Sequence, residues 1–214
     1  MLYLSRLLLN PRERQVQVEL ARPYQMHRTL LQAFQEPLPV EERILFRVDW
    51  LQNQTLPLLL VQSHTAPKWE RLPNPRYLLD NHALPWGFEH PAEVKTWQPI
   101  FNIGQPLRFR LLANPTIKRA GKRYPIIREL DQIAWLQRKL LVAGARMVDV
   151  ECHEFGRYVD TKREGPERHS ITLYGVRFDG LLQVEDPQKL LDAVTNGIGS
   201  AKGLGFGLLS LASI

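Results

Sequence analysis

The sequence predicts an α+β chain made of two tandem ferredoxin-like units, RRM-like in their βαββαβ order. Three observations predict it. Short runs with period-two alternation recur along the 214 residues. Two amphipathic helical stretches are each followed by a pair of such runs. The second half then adds a short helix and a last strand, which completes β-α-β-β-α-β. The expected division is an N-terminal domain over 1–90 and a C-terminal domain over 91–214.

Leu2 to Leu9 reads as the first strand, ended by Asn10-Pro11. The polar stretch Gln15 to Ala21 reads as a short helical turn. Arg22-Pro23 opens a helix, because proline at the first turn lacks only an N–H that would be unpaired anyway. Met26, Leu30, Leu31 and Phe34 supply its apolar face, and Glu36-Pro-Leu-Pro39 ends it. Arg43 to Trp50 alternates as a strand does, with Ile44, Phe46 and Val48 on one side and Arg43, Leu45 and Arg47 on the other. Leu56 to Gln62 is its expected hairpin partner. Residues 64 to 105 show little periodicity. They read as a long irregular segment ordered in part by Trp69, Trp86 and Trp97, with room for one more strand.

Leu107 to Ala113 begins the second half, and Asn114 to Arg128 reads as a charged loop. Glu129 to Gly144 is a helix with Ile133, Leu136, Leu140 and Leu141 on one face and Gly144 as its stop. Arg146 to Glu154 and Ser170 to Leu182 are strands, joined by the basic stretch Arg157 to His169. Asp186-Pro187 starts a helix that Asn196-Gly197 closes, and Leu208 to Leu211 is the final strand. No second helix is legible in the first half.

Composition narrows the function. A net charge of +6, from 28 Lys and Arg against 22 Asp and Glu, favours acidic partners: nucleic acid first, an anionic membrane surface second. No apolar run reaches the ~18 residues a membrane span needs. The first ten residues have neither the basic leader nor the cleavage site of a signal peptide. One cysteine, Cys152, permits no internal disulfide and suits a reducing cytoplasm. His153 beside Cys152 makes no metal set by itself, and His64, His82, His90 and His169 are scattered, so no structural metal is expected.

Five of the thirteen glycines fall between 197 and 207. Glycine at that density is entropically costly, so it implies positive φ angles or close backbone approach. One reading is a tight helix-to-strand turn. The other is a concave backbone N–H site for an anion, with Lys202 adding charge. The familiar nucleotide motifs fail. A P-loop needs Gly-Lys-Ser/Thr after four spacers, but Lys202 follows Ala201 and precedes Gly203, and a dinucleotide fingerprint from Gly197 would need glycine where Lys202 stands. No nucleotide cofactor is expected.

Arg108, Arg110, Lys118, Arg119, Lys122, Arg123 and Arg128 stand together with no acidic residue among them. Such a run is either a solvated loop or a phosphate-binding surface, and the unbalanced charge favours the latter. The second cluster, Arg157, Lys162, Arg163 and Arg168, is diluted by Asp160, Glu164 and Glu167. Basic loops on ferredoxin-like units point to RNA more than DNA. On the first helix, Tyr24 and His27 share a face, with Arg28 next. His27 is either a surface histidine packed on the tyrosine or a general acid/base. RNA carries its own nucleophile, the 2′-OH, and an imidazole near pKa ~6.5 can take or give a proton at neutral pH.

Taken together, several pieces resemble the CRISPR repeat-processing endoribonucleases of the type I-E Cascade system. They are Asn10-Pro11, the Pro23-Tyr24-Gln-Met26-His27-Arg28-Thr29-Leu30 helix, Arg108-Phe-Arg110-Leu-Leu-Ala-Asn114-Pro115, Gly121-Lys122-Arg123 and the terminal glycine-rich segment from Gly197 to Ser210. The order is kept from end to end, and the likeness is least over about 64 to 100. The resemblance implies two ferredoxin-like domains and a metal-independent cut at the 3′ base of the repeat stem-loop. It implies 2′,3′-cyclic phosphate and 5′-OH ends, and retention of the crRNA within Cascade beside its other subunits, in the cytoplasm. It gives His27 the acid/base role and Tyr24 support of the scissile site. Arg28, Lys118, Arg119, Lys122 and Arg123 become RNA contacts, as do Gly199 and Lys202 of the glycine-rich loop. Arg157, Lys162 and Arg163 stand near the cleavage site. The alternatives are a non-catalytic RNA-binding subunit of the same fold and a phosphometabolite enzyme using the glycine-rich loop.

Overall fold

The first apolar run forms strand β1 (Leu2–Leu8), and helices α1 (Arg14–Ala21) and α2 (Pro23–Leu31) follow it. The hairpin β2 (Leu45–Leu51) and β3 (Leu56–Ser63) returns the chain to the sheet, and β4 (Ala92–Trp97) closes its other edge. In this computed structural model residues 1–40, 42–51, 55–164 and 167–214 are described, with backbone alone at 160–164 and 167–171. The chain divides into two compact units. One is Met1–Gln98 with Asp160–His169 and Gly203–Gly205; the other is Pro99–Val159 with Ser170–Lys202 and Phe206–Ile214.

The first sheet is antiparallel in the order β2-β3-β1-β4. Its core gathers Leu7, Leu9, Met26, Leu30, Phe34, Phe46, Leu59 and Val61. The expected alternation in β2 does not separate a wet face from a dry one. Leu45 and Arg47 are as buried as Phe46. Arg47 is 2% exposed and tolerates burial through a bidentate pair with Asp49, Nε to Oδ1 at 3.0 Å and Nη2 to Oδ2 at 2.9 Å.

Where a second helix would complete the first unit, there are two 3-10 turns, Trp69–Arg71 and Asn81–Ala83. Pro67, Pro73, Pro75 and Pro85 deny this segment the unbroken N–H series a helix needs. It packs instead through single aromatic side chains. The buried Trp69 donates its Nε1–H to Ser5 Oγ at 3.1 Å, and Tyr77 is 0% exposed. Tyr77 Oη donates to Glu19 Oε2 at 2.7 Å. Thr29 Oγ1 and Gln15 Nε2 donate to Glu19 Oε1 at 2.6 and 2.8 Å, so one buried carboxylate ties α1, α2 and the irregular segment together. The buried phenol's pKa is driven far up, by desolvation first and by the Glu19 charge second. Trp86, expected to help order this segment, does not, because it is fully exposed.

The second unit runs β5 (Pro106–Ala113), β6 (Thr116–Arg119), β7 (Lys122–Pro125), α3 (Glu129–Val142), β8 (Ala145–Glu164), β9 (Glu167–Val184), α4 (Pro187–Asn196) and β10 (Leu209–Ser213). Its main sheet is ordered β10-β5-β9-β8. Numbered within each unit, both sheets have the order 4-1-3-2 of the ferredoxin-like fold.

Three expectations are corrected here. The charged loop 114 to 128 is a hairpin: Lys118 pairs with Arg123 and Arg119 with Lys122 around the two-residue turn Ala120-Gly121. Both turn residues have positive φ, 46° and 80°, the twist a type I′ turn shares with its flanking strands. The stretch 157 to 169 is not a separate connection, because β8 and β9 extend through it to either side of residues 165 and 166. Leu141 is 63% exposed, and Gln132, Trp135, Leu136 and Leu140 form the buried face of α3. Gln132 is acceptable there because its amide donates to the Ile126 and Ile127 carbonyls at 3.0 and 3.1 Å. Gly144 stops the helix at φ 72°, and a Cβ there would lie 2.5 Å from the Asp186 carbonyl oxygen.

Candidate nucleic-acid interface

Pro23 occupies the first turn of α2, and burial of Pro23, Met26, Thr29 and Leu30 fixes which way the helix faces. That leaves Tyr24 and His27 half-buried and Arg28 exposed. The His27 ring stacks on Phe46 of β2, with centroids 6.2 Å apart and planes 15° from parallel. Gly203 also lies beside the ring, close enough that an added Cβ would stand 3.6 to 3.8 Å from the imidazole atoms. Gly205 approaches Phe46 more closely, at 3.1 Å for an added Cβ, and its φ is 82°. A Cβ at Gly205 would crowd the Phe46 ring, whereas one at Gly203 would only touch the imidazole at ordinary contact distance. Burial lowers the His27 pKa below 6.5, since the enclosed ring loses the water that would solvate its cation. At pH 7 it is therefore a neutral imidazole with one nitrogen free to accept a proton.

The second unit carries a cleft of about 490 Å³. Lys118 and Arg123 from the β6–β7 hairpin, Lys139 from α3 and Lys202 from the glycine-rich loop all line it. The described lining contains no carboxylate. Trp135 and Thr116 line it as well, and Gly199, Ser200 and Ala201 supply backbone. The loop adopts left-handed backbone at Gly199 (φ 90°), Ala201 (φ 62°) and Gly207 (φ 88°). Its mouth is tied by the Ile198 N–H to the Gly207 carbonyl at 2.9 Å and the Gly207 N–H to the Leu112 carbonyl at 2.8 Å. At Gly207 a Cβ would sit 2.8 Å from the Ile198 carbonyl oxygen, so glycine is required there. Four cations from a hairpin, a helix and the glycine-rich loop line this one cleft, a distribution of charge that suits an anion with several charges.

Of the residues singled out in the sequence, Lys118, Arg123, Gly199 and Lys202 share this cleft. Arg119 and Lys122 are exposed on the same hairpin but do not line it, since neighbouring residues on a strand point to opposite faces. Arg157 is exposed on β8, and the side chains of Lys162 and Arg163 lie outside the described residues. Sequence reasoning missed Lys139 and Trp135. They are four apart on α3 and so share a face, with Lys139 Nζ 5.9 Å from the ring centroid, yet Lys139 reads in sequence as an ordinary solvated helix lysine. It also missed Phe46 as the partner of His27, a contact between distant segments that no local spacing encodes. Among the described residues, no three His, Cys, Asp or Glu side chains are grouped to hold a metal ion, and no helix is long and apolar enough to cross a membrane.

The model of the family described as CRISPR associated protein matches residues 2–213. This chain belongs to that family. Among relatives in it, the chain is 35% identical over 222 residues to the CRISPR-associated endoribonuclease Cse3 of Thermus thermophilus, covering 99% of this chain and 100% of the relative. It is 39% identical over 155 residues to the CRISPR system Cascade subunit CasE of Escherichia coli K12, covering 64% of this chain and 74% of that one. Its fold is similar to Thermus thermophilus Cse3 bound to an RNA representing a pre-cleavage complex. There the TM-score is 0.82 at 32% identity, over 99% of this chain and 98% of that one.

Proposed function

We propose that this chain is a CRISPR repeat endoribonuclease of the type I-E Cascade system. It binds the stem-loop of the repeat in the precursor transcript, cuts at the 3′ base of the stem and keeps the mature crRNA as a Cascade subunit. The observation that carries the catalytic part is His27, an imidazole stacked on Phe46 with Gly203 beside its ring and its pKa lowered by burial. Near-full-length likeness to a named endoribonuclease supports the same reading.

The reaction needs no external nucleophile. His27 takes the proton of the 2′-OH as the O2′–P bond forms and the P–O5′ bond breaks, leaving a 2′,3′-cyclic phosphate, and the departing 5′-oxygen takes a proton from solvent water to become the 5′-hydroxyl. Proton transfer by a positioned side chain contributes typically ~10²–10⁴-fold. Tyr24, one turn before His27, orients the scissile nucleotide. In the second unit, Lys118, Arg123, Lys139 and Lys202 offset phosphate charge, and the backbone of Gly199 to Ala201 approaches an RNA strand without a side chain at Gly199. Arg28, Arg119, Lys122 and Arg157 are exposed cations that add to the RNA surface. The chain needs no metal or nucleotide cofactor and works in the cytoplasm, where the transcript is made.

Cleavage of a repeat hairpin RNA in EDTA tests this directly, comparing wild type with His27→Ala and with a substrate carrying 2′-deoxy before the cut. Wild-type cleavage lost in both controls, with hairpin binding kept by His27→Ala, is the expected result. Tight retention of the hairpin without wild-type cleavage would identify a non-catalytic binding subunit instead.

A further inference from the structure

Trp86 is 100% exposed, whereas Trp69 and Trp135 are 6% and 5% exposed. An indole left wholly in water is a large unburied apolar surface, and here the backbone turn that presents it is held in place. Pro85 to Phe88 is a turn closed by the Phe88 N–H to the Pro85 carbonyl at 3.3 Å, with Gly87 at φ 87°, as a type II turn requires at its third position. Trp86 occupies the outer corner. The turn is fastened to β1 by Arg6. Its Nη2 donates to the Gly87 carbonyl at 2.6 Å, its guanidinium lies 4.0 Å from the Phe88 ring centroid, and its Nε pairs with Glu93 of β4. Glu93 also accepts the Glu89 N–H at 2.8 Å, closing the loop base. A rigid aromatic loses little conformational entropy on binding, which makes it suited to anchor an interface.

The charge around it separates two kinds of partner. Single-stranded nucleic-acid sites pair stacking aromatics with cations that follow the phosphates. From 77 to 94 there is no Lys or Arg, Asp80 and Glu89 are present, and Glu93 is offset by its pair with Arg6. Arg6, the cation under the turn, is committed to Glu93 and Gly87. A polyanion is disfavoured there, and a protein surface is favoured.

We propose that Trp86 anchors this chain to a neighbouring protein subunit of Cascade, by entering an apolar pocket with a basic rim. This rests on the reading of the chain as a Cascade component, but not on its catalytic residues. The test uses the full chain as wild type, Trp86→Ala and Trp86→Phe. Each is titrated onto the organism's other Cascade subunits loaded with a crRNA lacking the repeat hairpin, so that protein contacts alone hold it. Cleavage rate and affinity for the repeat hairpin are measured on the same preparations. Trp86→Ala is expected to weaken association at least about tenfold and Trp86→Phe less, with cleavage and hairpin affinity within about twofold of wild type. Unchanged association overturns the proposal. So does a wild-type chain that fails to associate, or a loss of hairpin affinity matching the loss of association, which would mark Trp86 as a base platform. A wild type that associates through Trp86 but does not cleave would defeat the enzymatic reading and leave this one standing.

Discussion

His27 owes its chemistry to what encloses it. Phe46 and Gly203 remove water from its ring, so its pKa lies below 6.5. The active form of a general base is the neutral one, so the acid limb of the single-turnover rate is expected below pH 6.5. A limb centred above 6.5 in a pH–rate profile would count against the base assignment. The sign for stability follows from the same shift. As pH falls, the unfolded chain takes up this proton first, so the contribution of His27 to stability is whole above pH 6.5 and is lost as pH falls through the lower folded value. The Glu19 carboxylate depends on its donors in a comparable way. Tyr77→Phe keeps the ring and removes the hydroxyl that donates at 2.7 Å. It is expected to cost about 1–3 kcal/mol, read as a lower denaturant midpoint.

The β6–β7 hairpin shows how an element turns a charge run into a site. Six consecutive residues, Lys118 to Arg123, place four cations on a ribbon whose alternation sends Lys118 and Arg123 toward the cleft and Arg119 and Lys122 away from it. Lys139 reaches the same cleft from α3. Lys139→Ala is expected to weaken binding of the repeat hairpin and to flatten the slope of log K against log salt by about 0.9, one phosphate contact on duplex. Arg119→Ala, outside the cleft, is expected to change that slope less. At the far end of α3, Gly144→Ala would place a methyl 2.5 Å from the Asp186 oxygen at a φ of 72°. Strain at that helix stop is expected to lower the melting temperature, while a Gly121→Ala change in the open hairpin turn meets no neighbouring atom and carries only the cost of its φ.

The whole molecule uses one topology twice and specialises each copy. The first unit replaces its second helix with aromatic-anchored turns and carries the histidine. The second keeps both helices, inserts the hairpin and carries the cation cleft. With a net charge of +6 and four cations in one cleft, affinity for the repeat hairpin is expected to fall with a salt slope near about −3.6 or steeper. A flat salt response, measured between dilute and physiological buffer, would favour a small phosphorylated ligand over RNA.

Elements governed by neighbours in the chain were legible without the fold. Pro23 opening α2, Gly144 ending α3, Asp186-Pro187 starting α4, the apolar run of β3 and the alternation of β5 are all short-range consequences of backbone geometry. Tyr24 and His27 share a face for the same reason. The hairpin at 116 to 125 was missed because its charges hid the alternation, although Ala120-Gly121 was a usable turn signal. What remained needs contacts between residues far apart in sequence. Burial on both faces of β2, the wet side of Leu141, the lowered pKa of His27 and the meeting of Lys139 with Lys118, Arg123 and Lys202 depend on strand register and helix packing. Local periodicity states which side chains share a face, but only packing sets what that face meets, and with it the solvation that gives each charge its role.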